Sequence, residues 1–414
     1  MRTDLRRLSD STRKVFNMEK IGIVTMVGYD NYGNLLQNFA VTTLLEDMGF
    51  QGITLNNNVA EDQTANASQE RFWKKFTPNY LKRYLGVKAQ QKLGCKNDSD
   101  FRILNTIRLY RQRSEFQRCK EKRFEIFKAF RDTYIPYEPL PLYDERFPEE
   151  SYFAFVCGSD VVWHPTYHYN KDNDFLRFAQ PHKRISLAPS FGVSVIPENR
   201  EKAYSSWING IEYLSVREDS GAKIIEELTG RKSEVLPDPT LAIDAERWRN
   251  VSKKPSVAPE KPYVLCYFLG NMSSEYEDWI KQCAGFGQLE IVRVLDANDL
   301  QYYSVCPFEF LWLISHADAV FTDSFHGIAF SMLFHTPFVA FRRIEEGLSI
   351  FSRIESLLRY MNMEHREFGQ VNIEEYDQID FSSIDSVMEC MRENEIGFLS
   401  SSINAIQKWY ENNE

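Results

Sequence analysis

Residues 21–49 read IGIVTMVGYDNYGNLLQNFAVTTLLEDMG and contain a predicted strand, a loop and a helix in that order. The run Ile21–Met26 is short, apolar and rich in β-branched residues, which is typical of a buried strand. Apolar residues then recur at helical spacing, with Asn34 as the predicted N-cap and Gly49 at the predicted end of the helix. This order begins a βαβ unit and predicts a parallel α/β fold.

The same order of elements returns along the rest of the chain. Further strands are predicted at 153–156, 185–188, 213–216, 263–269, 291–294, 319–322 and 338–341. The Pro237-Asp238-Pro239 segment and the linker-like residues 251–262 separate two halves. We therefore predict two facing Rossmann-like, doubly wound domains. Their expected boundaries are 1–20 for an N-terminal extension, 21–250 for the first domain and 260–414 for the second domain with its closing helices.

Composition excludes several classes of protein. The chain has 414 residues, 43% of them hydrophobic, and a formal net charge of −10, which rules out a disordered or fibrous protein. Its seven cysteines are scattered without a CxxC pair, so neither a zinc site nor a disulfide framework is expected. The N-terminal residues lack the apolar core of a secretory signal, and the longest apolar run is too short to span a bilayer. We expect a cytoplasmic protein without a bound metal.

One segment is strongly basic. Residues 71–131 hold 18 Lys and Arg against 5 Asp and Glu, with aromatic residues interleaved, and are predicted to form a helical insertion in the first domain. A solvated helical face explains this pattern, and so does peripheral contact with anionic lipid at the inner face of the plasma membrane. Nucleic-acid binding is not expected, because the whole chain is acidic and carries no recognition motif.

Two common phosphate-binding motifs are absent. No G-x-G-x-x-G follows a predicted strand, and no G-x-x-x-x-G-K-[ST] occurs. Nicotinamide, flavin and P-loop nucleotide chemistry are therefore not expected, and no cofactor is predicted.

The segment FTDSFHG at 321–327 is the most informative candidate site. His326 follows a predicted strand and begins a helix, where unpaired N–H groups favour an anion and the imidazole can exchange a proton near neutral pH. Ser324 and Gly327 belong to the same candidate ligand-binding loop. Arg217 holds the equivalent place in the first half and could clamp a carboxylate or phosphate, or simply form a surface ion pair with its acidic neighbours.

Other polar residues also follow predicted strands. The candidate ligand-binding residues are Asn31, Asn34, Gln37, Ser159, Asp160 and Ser190. Their amide, hydroxyl and carboxylate groups suit sugar hydroxyls or phosphate, and Trp163 beside Asp160 could hold a sugar ring. Turns, helix caps and a core tryptophan explain the same residues without a ligand. All of them lie where ligands bind in doubly wound sheets.

Five motifs occur in the order found in one known family. They are GYDNYGN at 28–34 with Gln37, VCGSDVVWHP at 156–165, SVREDS at 215–220, PDPT at 237–240 and TDSFHG at 322–327. In these segments the chain resembles the polysaccharide pyruvyl transferases, over about residues 21–345.

The resemblance implies a fold like that of the B-type glycosyltransferases and transfer of pyruvate from phosphoenolpyruvate to a sugar as a ketal. It implies that His326 is the acid/base and that Arg217 binds the donor. The expected acceptor is a sugar of a polysaccharide repeat unit linked to a lipid diphosphate. The chain departs from the family at Ser324, where many members carry a second donor-binding arginine. Arg342, Arg343 and Arg353 are the nearest arginines that could replace it.

Two other functions remain open at this point. A nucleotide-sugar glycosyltransferase could have the same two-domain plan. Retaining enzymes of that class usually place a glutamate seven residues before the proline that begins the last β/α unit, and here that position is Phe330. The second alternative is a non-catalytic glycan-binding subunit, although Arg217 and His326 are both retained.

Overall fold

The computed structural model describes residues 18–26, 31–57, 99–166, 172–297, 299–344 and 351–413. The chain divides into two compact units, residues 1–57 with 122–414 and residues 58–121. In the described part of the chain, no helix is both long enough and apolar enough to cross a membrane.

The first half is built on a five-stranded parallel sheet. Its strands are β1 (Lys20–Val24), β2 (Gln51–Asn56), β3 (Tyr137–Pro141), β4 (Tyr152–Cys157) and β5 (Arg184–Ser186), in the order β3-β2-β1-β4-β5. Every pairing in the sheet is parallel, with Ile23 opposite Val156 between the two central strands. A short parallel pair follows it, β6 (Ser215–Val216) with β7 (Glu234–Val235).

The second half is built on a separate four-stranded parallel sheet. Its strands are β8 (Tyr263–Tyr267), β9 (Glu290–Val294), β10 (Ala319–Thr322) and β11 (Phe338–Ala340), in the order β11-β10-β8-β9. All three pairings are parallel. Two parallel sheets, each accompanied by helices, confirm the predicted α/β class.

The helices connect and cover these strands. They are α1 (Tyr32–Asp47), α2 (Ser99–Tyr134), α3 (Glu198–Asn209), α4 (Asp219–Thr229), α5 (Pro239–Ala242), α6 (Ala245–Val251), α7 (Ser274–Gly287), α8 (Pro307–Ser315), α9 (Phe325–Phe334), α10 (Ser352–Tyr360) and α11 (Ile384–Asn413). Short 3-10 turns lie at Glu149–Ser151, Asp172–Phe175, Pro181–Lys183 and Glu364–Arg366.

Helix α1 begins three residues before the predicted start. Asn31, not Asn34, is its N-cap, because the Asn31 backbone is extended and its side-chain oxygen accepts hydrogen bonds from Gly33 N at 2.8 Å and Asn34 N at 3.4 Å. The prediction that Asn34 caps the helix was wrong. The earlier start places Tyr32 and Gly33 in the first turn of the helix, and Gly33 faces the candidate site.

The basic segment 71–131 is described only in part. Residues 99–131 lie in helix α2, as predicted, whereas residues 71–98 lie outside the described residues. Arg123 does not belong to a solvated face, because it is buried and donates hydrogen bonds to Tyr32 Oη at 2.8 Å and Tyr303 O at 3.0 Å. At least one of the cations in this segment is therefore structural.

Helix α11 returns to the first half of the chain. The Tyr410 hydroxyl donates to the carbonyl of Phe153 at 3.2 Å, and the two rings lie 5.5 Å apart. The Trp409 ring stacks on His182 at 3.5 Å. The last helix of the sequence thus packs against β4 and the 3-10 turn Pro181–Lys183 of the first half.

Candidate functional site

A buried cluster of ionisable side chains lies at the carboxyl ends of strands from both halves. Asp160 follows β4 and Arg217 follows β6. Asp238 follows β7, and His326 follows β10 of the second sheet. The cluster is completed by Arg353 of α10, and all five residues are at most 7% exposed. Their placement at strand ends matches the position at which doubly wound sheets bind ligands.

Asp238 is the centre of this cluster. One carboxylate oxygen accepts a hydrogen bond from Ser159 Oγ at 2.8 Å and pairs with Arg217 Nη1. The same oxygen lies 3.5 Å from His326 Nε2. The other oxygen caps helix α5, accepting from Thr240 N at 3.1 Å and Thr240 Oγ1 at 2.9 Å. Asp238 thus joins a helix cap in the first half to the histidine of the second half.

The charge on Asp238 is stabilised despite its burial. Burial alone would raise the pKa of this carboxyl group, but the nearby His326 and Arg217 outweigh it and hold the pKa well below its usual range. The pKa of Asp160 is also lowered. Burial opposes the charge of this carboxyl group, but His326, Arg353 and Arg217 outweigh that effect. Both carboxylates are therefore anions that fix the positions of the two arginines and the histidine.

Arg217 presents one edge of its guanidinium without a hydrogen bond. Nη1 is used by Asp238 and by Ser159 Oγ at 3.3 Å. Nη2 lies 3.7 Å from Asp160 Oδ1, and neither Nη2 nor Nε has a hydrogen-bond partner. The guanidinium carbon is 4.5 Å from the centre of the Phe325 ring, which supports its orientation. An edge with two parallel N–H donors is the geometry that binds a carboxylate or phosphate in two hydrogen bonds.

The acidic neighbours of Arg217 in sequence have other partners. Glu218 accepts hydrogen bonds from Ser190 Oγ at 2.8 Å and Phe191 N at 3.0 Å. Burial raises the pKa of Glu218 against the opposing effect of Arg217. Asp219 pairs on the surface with Arg359 and with the Tyr360 hydroxyl. The alternative of a simple surface ion pair for Arg217 is therefore not what the structure shows.

Arg353 is the second cation of the cluster. Its Nη1 lies 3.0 Å from Asp160 Oδ1, and burial together with Arg217 lowers the pKa of Arg353 to about 10. The two other arginines suggested by the sequence bind elsewhere: Arg342 pairs with Glu355 and Glu367 and is exposed, and Arg343 pairs with Asp323. Arg353 is thus a second arginine of the cluster, paired with Asp160.

The His326 ring lies close against a glycine of the opposite half. It lies in the first turn of α9, and only 4% of its surface is exposed. A Cβ atom on Gly33 would come within 2.0 Å of His326 Nδ1, so no larger residue fits while the ring keeps this position. Nε2, on the other side of the ring, faces Asp238 and has no hydrogen bond. The ring is thus held between the start of α1 and Asp238.

Several predicted ligand-binding residues hold loops and helix ends in this structure. Gln37 Nε2 donates to Thr25 Oγ1 at 2.8 Å and to Asn34 O at 3.1 Å. Ser324 caps α9 through Gly327 N at 3.4 Å.

The predicted sugar-holding tryptophan lies in the core. Trp163 stacks on Phe175 with 4.8 Å between ring centres, and its Nε1 donates to Asp174 O at 3.0 Å. His164 is neutral, since burial and Arg353 lower its pKa to about 4. Asp160 has a left-handed backbone (φ 70°), and its Oδ1 accepts from Val161 N at 2.9 Å. This strained turn directs Asp160, and not Trp163, into the cluster.

Glu395 of α11 is a further buried carboxyl group near Asp238. It is fully buried, and neither of its oxygens has a hydrogen-bond partner. Burial, with a further contribution from Asp238, raises its pKa well above 4.5. The folded protein therefore keeps this proton at pH values where the unfolded chain releases it.

The Glu395→Gln substitution is expected to stabilise the protein increasingly as pH rises above 4.5. Between pH 4.5 and the pKa of Glu395 in the folded protein, the folded state binds more protons than the unfolded state, so in that range the wild type loses up to about 1.4 kcal/mol per pH unit that the variant does not lose. Thermal unfolding at pH 4.5, 6 and 8 measures this difference. Glu393→Gln, exposed on the same helix, is the control. A stability gain that stays the same at all three pH values would contradict this assignment.

Comparison with known proteins identifies the family of this chain. The family model for polysaccharide pyruvyl transferase matches residues 31–344, which includes His326 and every residue of the cluster except Arg353. No curated protein matches the chain.

Solved structures with similar folds have low sequence identity. UDP-N-acetylglucosamine 2-epimerase from Rickettsia bellii is 10% identical with a TM-score of 0.41, covering 95% of this chain and 100% of that chain. The Neisseria meningitidis enzyme bound to UDP-GlcNAc is 11% identical with a TM-score of 0.39, covering 93% and 100%. E. coli heptosyltransferase WaaC is 12% identical with a TM-score of 0.33, covering 95% and 100%. The match over three quarters of its length shows that the chain belongs to the polysaccharide pyruvyl transferase family.

Proposed function

We propose that this chain transfers pyruvate from phosphoenolpyruvate to two hydroxyl groups of a polysaccharide sugar, forming a ketal. Family membership supports a transferase that modifies a polysaccharide. The observation that carries the finer proposal is the pair of buried arginines, Arg217 and Arg353, beside His326. A donor with a carboxylate and a phosphate needs two cations and a proton donor, and this cluster contains all three.

The residues act on the donor in a defined order. Arg217 and Arg353 bind its two anionic groups, and His326 gives a proton to the methylene carbon, which becomes a methyl group. One sugar hydroxyl then forms a bond to the cationic carbon, and His326 accepts its proton. The bond between that carbon and the phosphate oxygen then breaks, and phosphate leaves. The second hydroxyl attacks the same carbon and closes the ketal, and the proton that this hydroxyl loses leaves with the phosphate. This transfer changes no oxidation state and needs no oxidant or cofactor.

Asp238 and Gly33 act through the residues that they touch. Asp238 pairs with Arg217 and faces His326, so it helps to hold both side chains in place. Gly33 leaves room for the ring at the start of α1. Both are positioning residues in this mechanism.

The donor is tested by binding and by product formation. Phosphoenolpyruvate is expected to raise the melting temperature of the protein, and nucleotide sugars are not, because a ligand of the folded state stabilises it by mass action. Incubation with phosphoenolpyruvate and candidate glycans is expected to release phosphate and add one pyruvyl group to the glycan. Stabilisation by a nucleotide sugar alone would favour the glycosyltransferase. Phe330 occupies the position where retaining glycosyltransferases usually have a glutamate. It is buried against Trp248, with 5.1 Å between ring centres, and has no group that could hydrogen-bond a ribose.

Arg353→Met is expected to raise the Kd for phosphoenolpyruvate roughly tenfold to hundredfold, because it removes a charged hydrogen-bond donor from the anion site. Isothermal titration calorimetry measures this change. Arg359→Met, on the exposed face of the same helix, is the matched control and is expected to bind the donor as the wild type does. Equal donor affinity in both variants would remove Arg353 from the donor site.

We further propose that the acceptor is linked to a lipid diphosphate at the inner face of the plasma membrane. The excess of cations in residues 71–131 supports this location, since basic segments bind anionic lipid surfaces. Binding to anionic vesicles is then expected to fall as salt rises, and binding that salt leaves unchanged would contradict it.

A further inference from the structure

A cavity of about 370 Å³ adjoins the charged cluster on the side of α10 and α11. Its inner end is formed by Arg217, Asp238 and Arg353, which also belong to the cluster. His326 does not line it, but the neighbouring Phe325 does. The cavity is thus continuous with the residues that we assign to the donor, while most of its wall belongs to other elements.

Much of the remaining wall of the cavity is apolar. Leu241 of α5 and Leu357 of α10 are buried there, and Met391 of α11 is half-buried beside them. A sugar would find few partners for its hydroxyl groups against these side chains. Burial of unpaired hydroxyls is unfavourable, whereas burial of methylene groups is favourable. The lining therefore fits a hydrocarbon group better than a carbohydrate.

The cavity opens to solvent along one stripe of α11. Ser386, Cys390 and Asn394 follow each other at intervals of four residues, which places them on one face of the helix. All three are exposed and line the cavity. A chain-like ligand can therefore extend from the cluster, past the apolar wall, and leave between these residues.

We propose that this cavity binds an apolar chain, of the alkyl or isoprenoid kind, carried by the sugar acceptor. Phosphoenolpyruvate has a single methylene group and leaves the apolar wall uncovered, so the occupant is a second molecule. Continuity with the arginines places the polar end of that molecule at the donor. This inference rests on the proposed function, because the acceptor is the molecule that must meet the donor there.

Cys390 provides a test that does not depend on catalysis. It is a free, exposed thiol on the cavity wall, and alkylation by N-ethylmaleimide is followed by peptide mass spectrometry. Octyl glycosides of glucose, galactose, mannose and N-acetylglucosamine are used below their micelle concentrations, each beside its methyl glycoside. At least one octyl glycoside is expected to slow labelling of Cys390 by roughly tenfold at saturation, and the methyl glycosides are not.

Two variants and one internal control make the test specific. Met391→Gln adds a polar group to the wall and is expected to abolish the protection. Ile396→Gln makes the same kind of change on the exposed surface of the same helix, and octyl glycosides are expected to protect Cys390 in this variant as they do in the wild type. Labelling of Cys119, outside the cavity, is expected to stay unchanged.

The outcomes separate this inference from the proposed function. Equal protection by octyl and methyl glycosides, no protection by any octyl glycoside, or protection that persists in Met391→Gln would overturn the inference. Protection of Cys390 without pyruvyl transfer to any glycan would retain the cavity and reject the proposed function. Pyruvyl transfer without protection would retain the function and reject the cavity as a chain-binding site.

Discussion

His326→Gln is expected to lower the turnover of pyruvyl transfer by about 10²–10⁴-fold, because the variant keeps a polar side chain but cannot deliver a proton to the donor. The Kd for phosphoenolpyruvate is expected to change much less than turnover, since the two arginines that bind its anionic groups are intact. Phosphate release under saturating donor measures turnover, and calorimetry measures donor binding. A loss confined to turnover is the signature of a proton-transfer residue.

The matched control is His335→Gln. His335 ends the same helix α9, is exposed, and pairs with Asp385 at 2.7 Å, so its loss is expected to leave turnover within about twofold of the wild type. Gly33→Ala approaches the same ring from the other half and is expected to reduce turnover by displacing it. Turnover in His326→Gln within tenfold of the wild type would exclude His326 as the acid/base.

Asp238→Asn is expected to lower the free energy of unfolding by about 3–5 kcal/mol, because it removes the carboxylate paired with the buried Arg217 and leaves only the more distant Asp160, at 3.7 Å, as its counter-charge. Asparagine retains the oxygen that caps α5, so the cap is not the cause of this loss. Urea unfolding at pH 7 measures the difference. The lowered pKa of Asp238 predicts that its charge stabilises the fold above pH 3.8, and that the gap between wild type and variant narrows as pH falls below that value.

The control for this experiment is Asp244→Asn. Asp244 caps the next helix, α6, through Arg247 N at 2.7 Å and is exposed, so the same change there is expected to cost less than about 0.5 kcal/mol. A loss below about 1 kcal/mol in Asp238→Asn would show that the cluster does not depend on the carboxylate charge.

Buried strands could be predicted because a short, unbroken apolar run is typical of a strand in a protein core. The predicted strand at 319–322 matches β10, and that at 153–156 lies within β4. Strands β2 and β3 were not predicted, since QGITLN and YEPLP mix polar, glycine and proline residues with a few apolar ones. Their assignment depends on parallel pairing beside β1, which a local pattern does not contain.

The site was predictable only where chain order places a residue at a strand end. Arg217, Asp160 and His326 were located in this way, and the structure brings them together. Asp238 belongs to the PDPT motif and to the predicted end of the first domain, but the sequence assigns it no role, and nothing local shows that its carboxylate faces His326. Arg353 has the sequence context of an ordinary helical arginine. Its role depends on the approach of α10 to β4, which is a tertiary contact.

The chemistry of small polar side chains does not distinguish a ligand contact from a structural hydrogen bond. Asn31, Gln37 and Ser190 were predicted to bind a ligand. In the structure Asn31 accepts a hydrogen bond from Gly33 at the start of α1, Gln37 donates to Thr25, and Ser190 donates to Glu218. Their role in ligand binding stays a prediction.

The return of α11 to the first half has a consequence for folding kinetics. One wall of the cavity is contributed by residues 235–241 and another by residues 386–394, roughly 150 positions further along the chain. Closing so long a loop is slow compared with forming the local strand–helix units, so binding competence is expected to arise late, after both sheets exist. Until then the apolar walls are open to water and prone to self-association. An acceptor that fills the cavity would therefore stabilise the part of the fold that forms last.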